Sequence, residues 1–217
     1  MTNDDRKKDS VEVAMIDSVS KAEFVGIGSD LAEVAFDAVM NDGLLKDIPV
    51  FGTVAGVVRS GVALRDRIFL KKVHSFLFEV NKASKKDRDE FVKNLSEKKG
   101  RKEKAGAALM LLLDKLDDID KPEIVGRIYI AKIEGRISEA ELRRFCMIIE
   151  RAFIPDLLEL AELKDGEKVD DDAAPLLAAL GVVTLSGENY GTLDGIGAET
   201  WYEINETGKK FVSVALT

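Results

Sequence analysis

Residues 120–163 read DKPEIVGRIYIAKIEGRISEAELRRFCMIIERAFIPDLLELAEL, and they contain the start and stop signals of consecutive helices. Pro122 suits the first turn of a helix, because the N–H that proline lacks has no intrahelical partner there. Gly135 ends this helix, and Ser138 with Glu141 forms an S-x-x-E capping box that starts the next one. The sequence therefore predicts a helical hairpin with a very short turn.

After residue 163 the long helices give way to shorter elements. Residues 175–180 predict a short helix, and residues 182–185 and 201–204 resemble strands joined by a glycine-rich loop. This order of helix, strand, loop and strand is typical of a winged-helix-like unit. The sequence predicts a mainly α fold, in which a multi-helix bundle precedes a small C-terminal winged-helix-like α+β unit with one two-stranded hairpin.

The same patterns divide the chain into three parts. They are residues 1–28, a tail and irregular lead-in; residues 29–163, a helical bundle; and residues 164–217, the winged-helix-like unit. Within the first part, apolar residues alternate with polar or small ones only at the start of residues 11–27. This pattern fits a short strand or irregular structure. A helix is predicted over residues 29–41, and the apolar residues 105–116 predict a helix at the centre of the core.

Residues 48–64 read IPVFGTVAGVVRSGVAL. Each of its three glycines weakens a helix in water by up to ~1 kcal/mol relative to alanine, so such a helix usually has close backbone contacts. A membrane-spanning helix needs about 20 apolar residues, and Arg59 interrupts this shorter stretch. Three interpretations remain open: a buried core helix, a segment that inserts at a membrane interface, or a self-association face.

A basic amphipathic stretch continues directly from this segment. Residues 59–104 contain 15 Lys/Arg and 7 Asp/Glu, which would suit an anionic surface. The candidate interaction or membrane surface combines the apolar segment with its basic flank. It consists of Val50, Phe51, Gly52, Val54, Gly56, Val57, Arg59, Arg65, Arg67, Lys71 and Lys72. We expect a protein partner or a second copy of the chain here, with an anionic membrane surface as the alternative.

The chain offers few residues for catalysis. His74 is the only histidine and Cys146 the only cysteine, and each lies among apolar residues, where a structural role is expected. No Walker loop, dinucleotide fingerprint, G-x-S-x-G or H-E-x-x-H motif occurs. The acidic residues at 114–120 do not have EF-hand spacing and suit helix capping. The sequence therefore predicts a non-enzymatic protein without cofactor or metal.

Charge also bears on nucleic acids and on location. Residues 155–217 contain 4 basic and 13 acidic side chains, and residues 173–180 contain no basic one. Because phosphate contacts need lysine and arginine, sequence-specific DNA binding through this region is disfavoured. A single cysteine and a polar, charged N-terminus favour a cytoplasmic protein, with peripheral membrane attachment as an alternative.

Two runs of sequence carry a resemblance to known proteins. They are IPVFGTVAGVVRSGVALRDRIFLKKVHSFL and LLLDKLDDIDKPEIVGRIYIAKIEGRISEAELRRF. Over residues 48–212 the chain resembles uncharacterised bacterial helical proteins encoded near mobile elements or phage-defence genes, which implies a role in defence. The hairpin resembles TerB-like helical domains, although the metal-binding acids of that family have no clear counterparts here.

Three functions follow as hypotheses. The first is a non-enzymatic interaction protein that binds an unknown partner, or a second copy of itself, through residues 48–80. The second is a defence or toxin-type effector that acts at the membrane interface. The third is a winged-helix DNA-binding regulator, which the acidic C-terminal region disfavours.

Overall fold

A computed structural model describes residues 10–24, 47–57, 64–163, 167–169, 172–189 and 199–217. These residues form ten helices and one two-stranded antiparallel sheet near the C-terminus. The predicted fold class, mainly α with a small sheet, is therefore confirmed. The chain divides into two compact units, Met1–Arg136 and Ile137–Thr217.

Unit 1 contains six helices among its described residues. They are α1 (Val11–Lys21), α2 (Pro49–Val57), α3 (Leu64–Val80), α4 (Lys85–Ser96), α5 (Arg101–Lys115) and α6 (Lys121–Ile133). Helix α1 packs against α2, α3, α4 and α5, and α3 also packs against α6. Helix α1 is therefore central to the described part of this unit.

Helix α1, at Val11–Lys21, corrects the prediction of a short strand or irregular lead-in over residues 11–27, of which residues 25–27 lie outside the described residues. The hydroxyl of Ser10 accepts a backbone N–H of the first turn and so caps the helix. Met15, Ile16 and Val19 are buried. These positions follow helical spacing, whereas the alternation that suggested a strand covers only the first residues. The helix predicted over residues 29–41 lies outside the described residues.

Buried Ser18 joins α1 to α2. Its hydroxyl donates to the carbonyl of Ala14 at 2.7 Å and accepts the N–H of Val50 at 2.9 Å. Because the first N–H groups of a helix have no intrahelical partner, this contact satisfies one of them at the start of α2. One side chain of α1 thus fixes where α2 begins.

Two glycines set the closest approaches between helices in unit 1. A Cβ on Gly106 of α5 would overlap the backbone of Glu12 on α1. A Cβ on Gly126 of α6 would lie 2.6 Å from the Cβ of Glu79 on α3. Both helix pairs therefore pack with their backbones too close for any larger residue at these positions.

Unit 2 also contains short elements in the predicted order. They are α7 (Glu139–Arg151), α8 (Ile154–Glu162), α9 (Ala174–Leu180), β1 (Val183–Asn189), β2 (Glu199–Ile204) and α10 (Glu206–Ala215). The capping box of Ser138 and Glu141 starts α7, as predicted. The strands pair antiparallel with Val183 opposite Ile204. Phe145 and Phe211 meet edge-on with ring centroids 5.5 Å apart, which joins α7 to α10.

The predicted hairpin of residues 120–163 supplies helices to both units. Helix α6 ends in unit 1, and α7 and α8 begin unit 2, so the compact units divide between Arg136 and Ile137. The boundary predicted after residue 163 lies further along the chain, inside unit 2. The left-handed backbone of Gly135, with φ 73°, provides the predicted helix stop just before this division.

Candidate interaction surface

Val50 and Phe51, which sequence analysis placed on the candidate surface, lie in the core of unit 1. Both side chains are almost completely buried, at 0% and 1% exposure. They belong to α2, which packs against α1. A side chain without exposure cannot contact a partner on the surface, so this part of the prediction is corrected. At these two positions α2 behaves as a core helix.

Of the other predicted surface residues in the apolar segment, the structure describes the exposure of Gly52 alone. Gly52 is half-buried in α2. Val54, Gly56 and Val57 belong to the same helix, but their side chains lie outside the described part of the chain, and so does Arg59. The exposure of the candidate surface can therefore be followed mainly at its basic flank, Arg65, Arg67, Lys71 and Lys72.

Lys72, a second predicted surface residue, is also buried. Its Nζ donates to the carbonyl oxygens of Leu116 at 2.5 Å and Asp114 at 3.3 Å, where α5 ends. A cation in this place satisfies carbonyls that have no intrahelical partner and lies at the negative end of the helix dipole. The physical reason for the correction is that Lys72 caps α5 from α3.

The other basic residues of the flank remain at the surface. Arg65 and Arg67 are exposed on the first turn of α3, and Lys71 is half-buried further along. Arg65 donates to the carboxylate of Asp114 at 3.0 Å, which links α3 to α5. Of the predicted surface residues, Arg65 and Arg67 are therefore exposed at the start of α3, close to α5.

A groove of about 450 Å³ lies between α3 and α5 beside α1. Its lining combines aliphatic and aromatic side chains with charged ones. They are Phe69, Ala107, Met110, Leu111, Glu12, Arg65, Asp66 and Asp114. Four of the eight lining side chains are charged and four are apolar, so the groove combines ionic and apolar surface. We call it the α3/α5 groove.

The exposed side of α5 adjoins this groove, and we call it the α5 face. From residue 103 to residue 115, it consists of Glu103, Lys104, Ala107, Ala108, Leu111, Asp114 and Lys115. Spacings of three and four residues place these side chains on one side of the helix. Leu111, with 57% of its surface exposed, lies between the two charged ends. The α5 face thus has an apolar centre and charged ends.

The α5 face was missed because residues 105–116 were predicted to lie at the centre of the core. Leu109, Leu112 and Leu113 are buried, but Leu111 is not. The helix looked apolar on most sides because Ala107 and Ala108 count as apolar. The helical spacing of Leu109, Leu112 and Leu113 could have revealed the face, because it places these three leucines on one side of α5 and Ala107 and Ala108 on the other.

His74 and Cys146, for which a structural role was predicted, both have pKa values that burial shifts. His74 is buried on α3, edge-on to Phe24 at 5.1 Å and stacked on Phe78 at 6.1 Å between ring centroids. Burial lowers the pKa of His74 to about 4, so its ring is neutral near pH 7. Burial raises the pKa of Cys146 to about 12, which keeps its thiol protonated and weakly nucleophilic.

The acidic residues at 114–120 bond to their own chain. Asp117 accepts from the buried ammonium of Lys121 at 2.6 Å, and this hydrogen bond lowers the pKa of Asp117. Asp118 accepts the N–H of Asp120 at 2.8 Å. Among the described residues, no group of three or more His, Cys, Asp or Glu side chains is placed to hold a metal ion. Asp117 and Asp118 therefore accept local hydrogen bonds, whereas Asp120 makes no side-chain cap hydrogen bond at the start of α6, although helix capping was predicted.

None of the helices in the described residues has both the length and the apolar character needed to cross a membrane. Comparison of the chain with protein-family models, curated proteins and solved structures found no match. The resemblance to TerB-like domains and to proteins near phage-defence genes therefore stays a prediction.

Proposed function

We propose that the chain is a non-enzymatic interaction protein that binds a protein partner through the α5 face and the α3/α5 groove. The observation that carries the proposal is the exposure of Leu111 at the centre of a face with charged ends. Interfaces commonly have this form, with an apolar anchor near the centre and a polar rim that excludes water. The adjoining groove provides space for a side chain of the partner.

The two residues most suited to catalysis support the non-enzymatic part of the proposal. The neutral ring of His74 is buried between aromatic side chains, and burial holds its pKa at about 4. The thiol of Cys146, with a pKa of about 12, is a poor nucleophile at neutral pH. A general base and a nucleophile normally need pKa values close to the working pH.

The proposal keeps part of the predicted region of residues 48–80 and adds α5 to it. Arg65 and Phe69 of α3 line the groove, whereas Val50 and Phe51 are buried. For the membrane-effector hypothesis, in which the apolar segment enters the bilayer interface, Val50 and Phe51 would first have to leave the core of unit 1. For the DNA-binding hypothesis, α9 has no basic side chain and exposes Leu176 instead.

A photocrosslinking experiment tests the proposal. The photoreactive amino acid p-benzoylphenylalanine replaces Leu111 in the full chain, which is irradiated in an extract of the cells that produce the protein. We expect one dominant adduct, whose partner is identified by mass spectrometry and then purified. The purified partner should bind the unmodified chain and should lose binding to Leu111→Glu, because a carboxylate would enter an apolar contact.

Leu158 provides a matched control for this experiment. It is a helical leucine of unit 2 with 53% exposure, close to the 57% of Leu111. The variant Leu158→Glu should bind the partner as the unmodified chain does. Equal losses in both variants, or the same adducts from either position, would contradict the proposal.

A further inference from the structure

The α3/α5 groove contains more acidic than basic side chains. Its charged lining residues are Glu12, Asp66, Asp114 and Arg65. Arg65 donates to the carboxylate of Asp114 at 3.0 Å, so these two charges offset each other. The groove is therefore left with the negative charges of Glu12 and Asp66.

Glu12 and Asp66 are not bonded to a cation of their own chain. Glu12 is half-buried in the first turn of α1, and Asp66 is exposed in the first turn of α3. In the described part of the chain, neither carboxylate takes part in an ion pair or a side-chain hydrogen bond. A partner that covers the groove removes water from both, and a carboxylate without water or a cation is costly. The occupant of the groove is therefore expected to supply a cation.

The apolar part of the groove suits an apolar side chain. Phe69 of α3 and Met110 of α5 are half-buried, and Leu111 is 57% exposed beside them. Methionine is unbranched and polarizable, so it adapts to apolar groups of different shapes. A side chain that covers this surface removes it from water, which stabilises the complex. The occupant thus needs an apolar group and a cation close together.

An amphipathic helix presents these two groups side by side. Residues three or four apart are neighbours on a helix, so a leucine and a lysine at that spacing reach the apolar and the acidic part of one groove. Ala107 of α5 is exposed at the groove, and its small size allows another helix to approach within about 8–10 Å between axes. Grooves between helices commonly bind amphipathic helices in this way.

The charge of the groove disfavours other occupants. Nucleic acids and anionic membranes present phosphates, and Glu12 and Asp66 would repel them. An acidic helix would add two more like charges to the same place. A basic helix is the partner whose charge is complementary to the groove.

We propose that the occupant of the α3/α5 groove is a basic amphipathic helix of the partner, with an apolar side chain against Phe69 and Met110 and a lysine or arginine against Glu12 and Asp66. This inference rests on the proposed function, because it names the chemistry of the segment that the same surface binds. Attraction between the opposite charges also speeds the encounter, and this contribution falls as the salt concentration rises.

Fluorescence anisotropy with a labelled peptide tests the inference. The probe is a helical peptide of leucine and lysine, about 14 residues long, with its leucines on one side. A matched peptide has glutamate in place of lysine. We expect the full chain to bind the lysine peptide and not the glutamate peptide. A chain that binds both peptides equally, or neither, overturns the inference.

Neutral variants show whether the peptide is bound at the groove. Glu12→Gln/Asp66→Asn removes both charges with little change in shape, and should raise the dissociation constant of the lysine peptide about fivefold. The control Glu159→Gln/Glu162→Gln removes two exposed charges from α8 and changes the net charge equally, so it should bind nearly as the unmodified chain does. Equal losses in the two double variants would mean that the peptide responds only to net charge, and the inference would be wrong.

The two proposals fail in different ways. If Leu111→Glu abolishes binding of the purified partner but Glu12→Gln/Asp66→Asn leaves that binding unchanged, the proposed function stands and the basic helix is wrong as the occupant. If positions 111 and 158 give the same adducts, the proposed function is wrong, and the inference that rests on it is wrong as well.

Discussion

The guanidinium of Arg88 on α4 donates to the carbonyl oxygen of Val19 on α1 at 2.9 Å, inside the core of unit 1. The same side chain donates to the carbonyls of Ala22 at 3.1 Å and Ala83 at 3.3 Å. The last carbonyls of a helix have no intrahelical partner, and Arg88 satisfies them where α1 ends. The buried charge of Arg88 is thus stabilised by backbone carbonyl dipoles, together with the nearby acids Asp89 and Glu23.

Arg88→Met should therefore destabilise the protein strongly. Methionine has a similar length but no donors, so the buried carbonyls of Val19 and Ala22 would lose their partner, at a cost of about 2–4 kcal/mol. Urea denaturation followed by circular dichroism measures the change. The control Arg143→Met removes an exposed i,i+4 ion pair to Glu139 and should cost no more than about 0.5 kcal/mol. Equal losses for the two variants would contradict the role of Arg88.

Gly106→Ala tests the close approach of α1 and α5. Alanine favours a helix over glycine by about 1 kcal/mol, so helix propensity alone predicts a gain in stability. We expect a net loss of about 1–3 kcal/mol instead, because the added Cβ would overlap the backbone of Glu12 and force the helices apart. Thermal denaturation gives the sign. Ala105→Gly, at the preceding position of α5, measures the propensity term separately, and a stabilised Gly106→Ala would show that α1 and α5 do not approach so closely.

His74 makes the stability of the protein depend on pH. Its pKa is about 4 in the folded state and 6.5 ordinarily, so the unfolded state binds a proton first as the pH falls. The contribution of His74 to the free energy of unfolding is therefore complete above pH 6.5. It is lost as the pH falls towards 4, and the total loss is about 3 kcal/mol at most. His74→Leu should remove this slope, and the difference in unfolding free energy between the two proteins, measured from pH 4 to 7, isolates it. Parallel curves would mean that His74 does not titrate with unfolding.

Local signals predicted the helices of the second half of the chain well. The capping box of Ser138 and Glu141 and the glycine stop at Gly135 are where the sequence placed them, because each depends on residues close in sequence. Helix α1 was not predicted, because much of its support comes from Val50 and Arg88, which lie far from it in sequence. Patterns of neighbouring residues carry no information about such contacts.

The candidate surface was predicted less well than the fold, for a similar reason. Val50 and Leu111 are both apolar, so hydrophobicity alone does not distinguish them. Which of the two side chains is buried depends on how other helices pack against it. The structure covers Val50 with α1 and leaves Leu111 exposed. Whether a basic residue is exposed also depends on packing. Lys72 is buried against the C-terminal end of α5, whereas Arg65 lies at the surface.

The central position of α1 has a consequence for the order of events at the ribosome. This helix is synthesised first among the described elements of unit 1, but Ser18, Val19 and Glu12 find their contacts on α2, α4 and α5, which are synthesised later. Its isolated sequence is too short to be a stable helix in water. Part of the apolar side of α1 therefore stays exposed on the nascent chain until α5, the last helix that covers it, has left the exit tunnel, and exposed apolar surface of this kind is prone to aggregate.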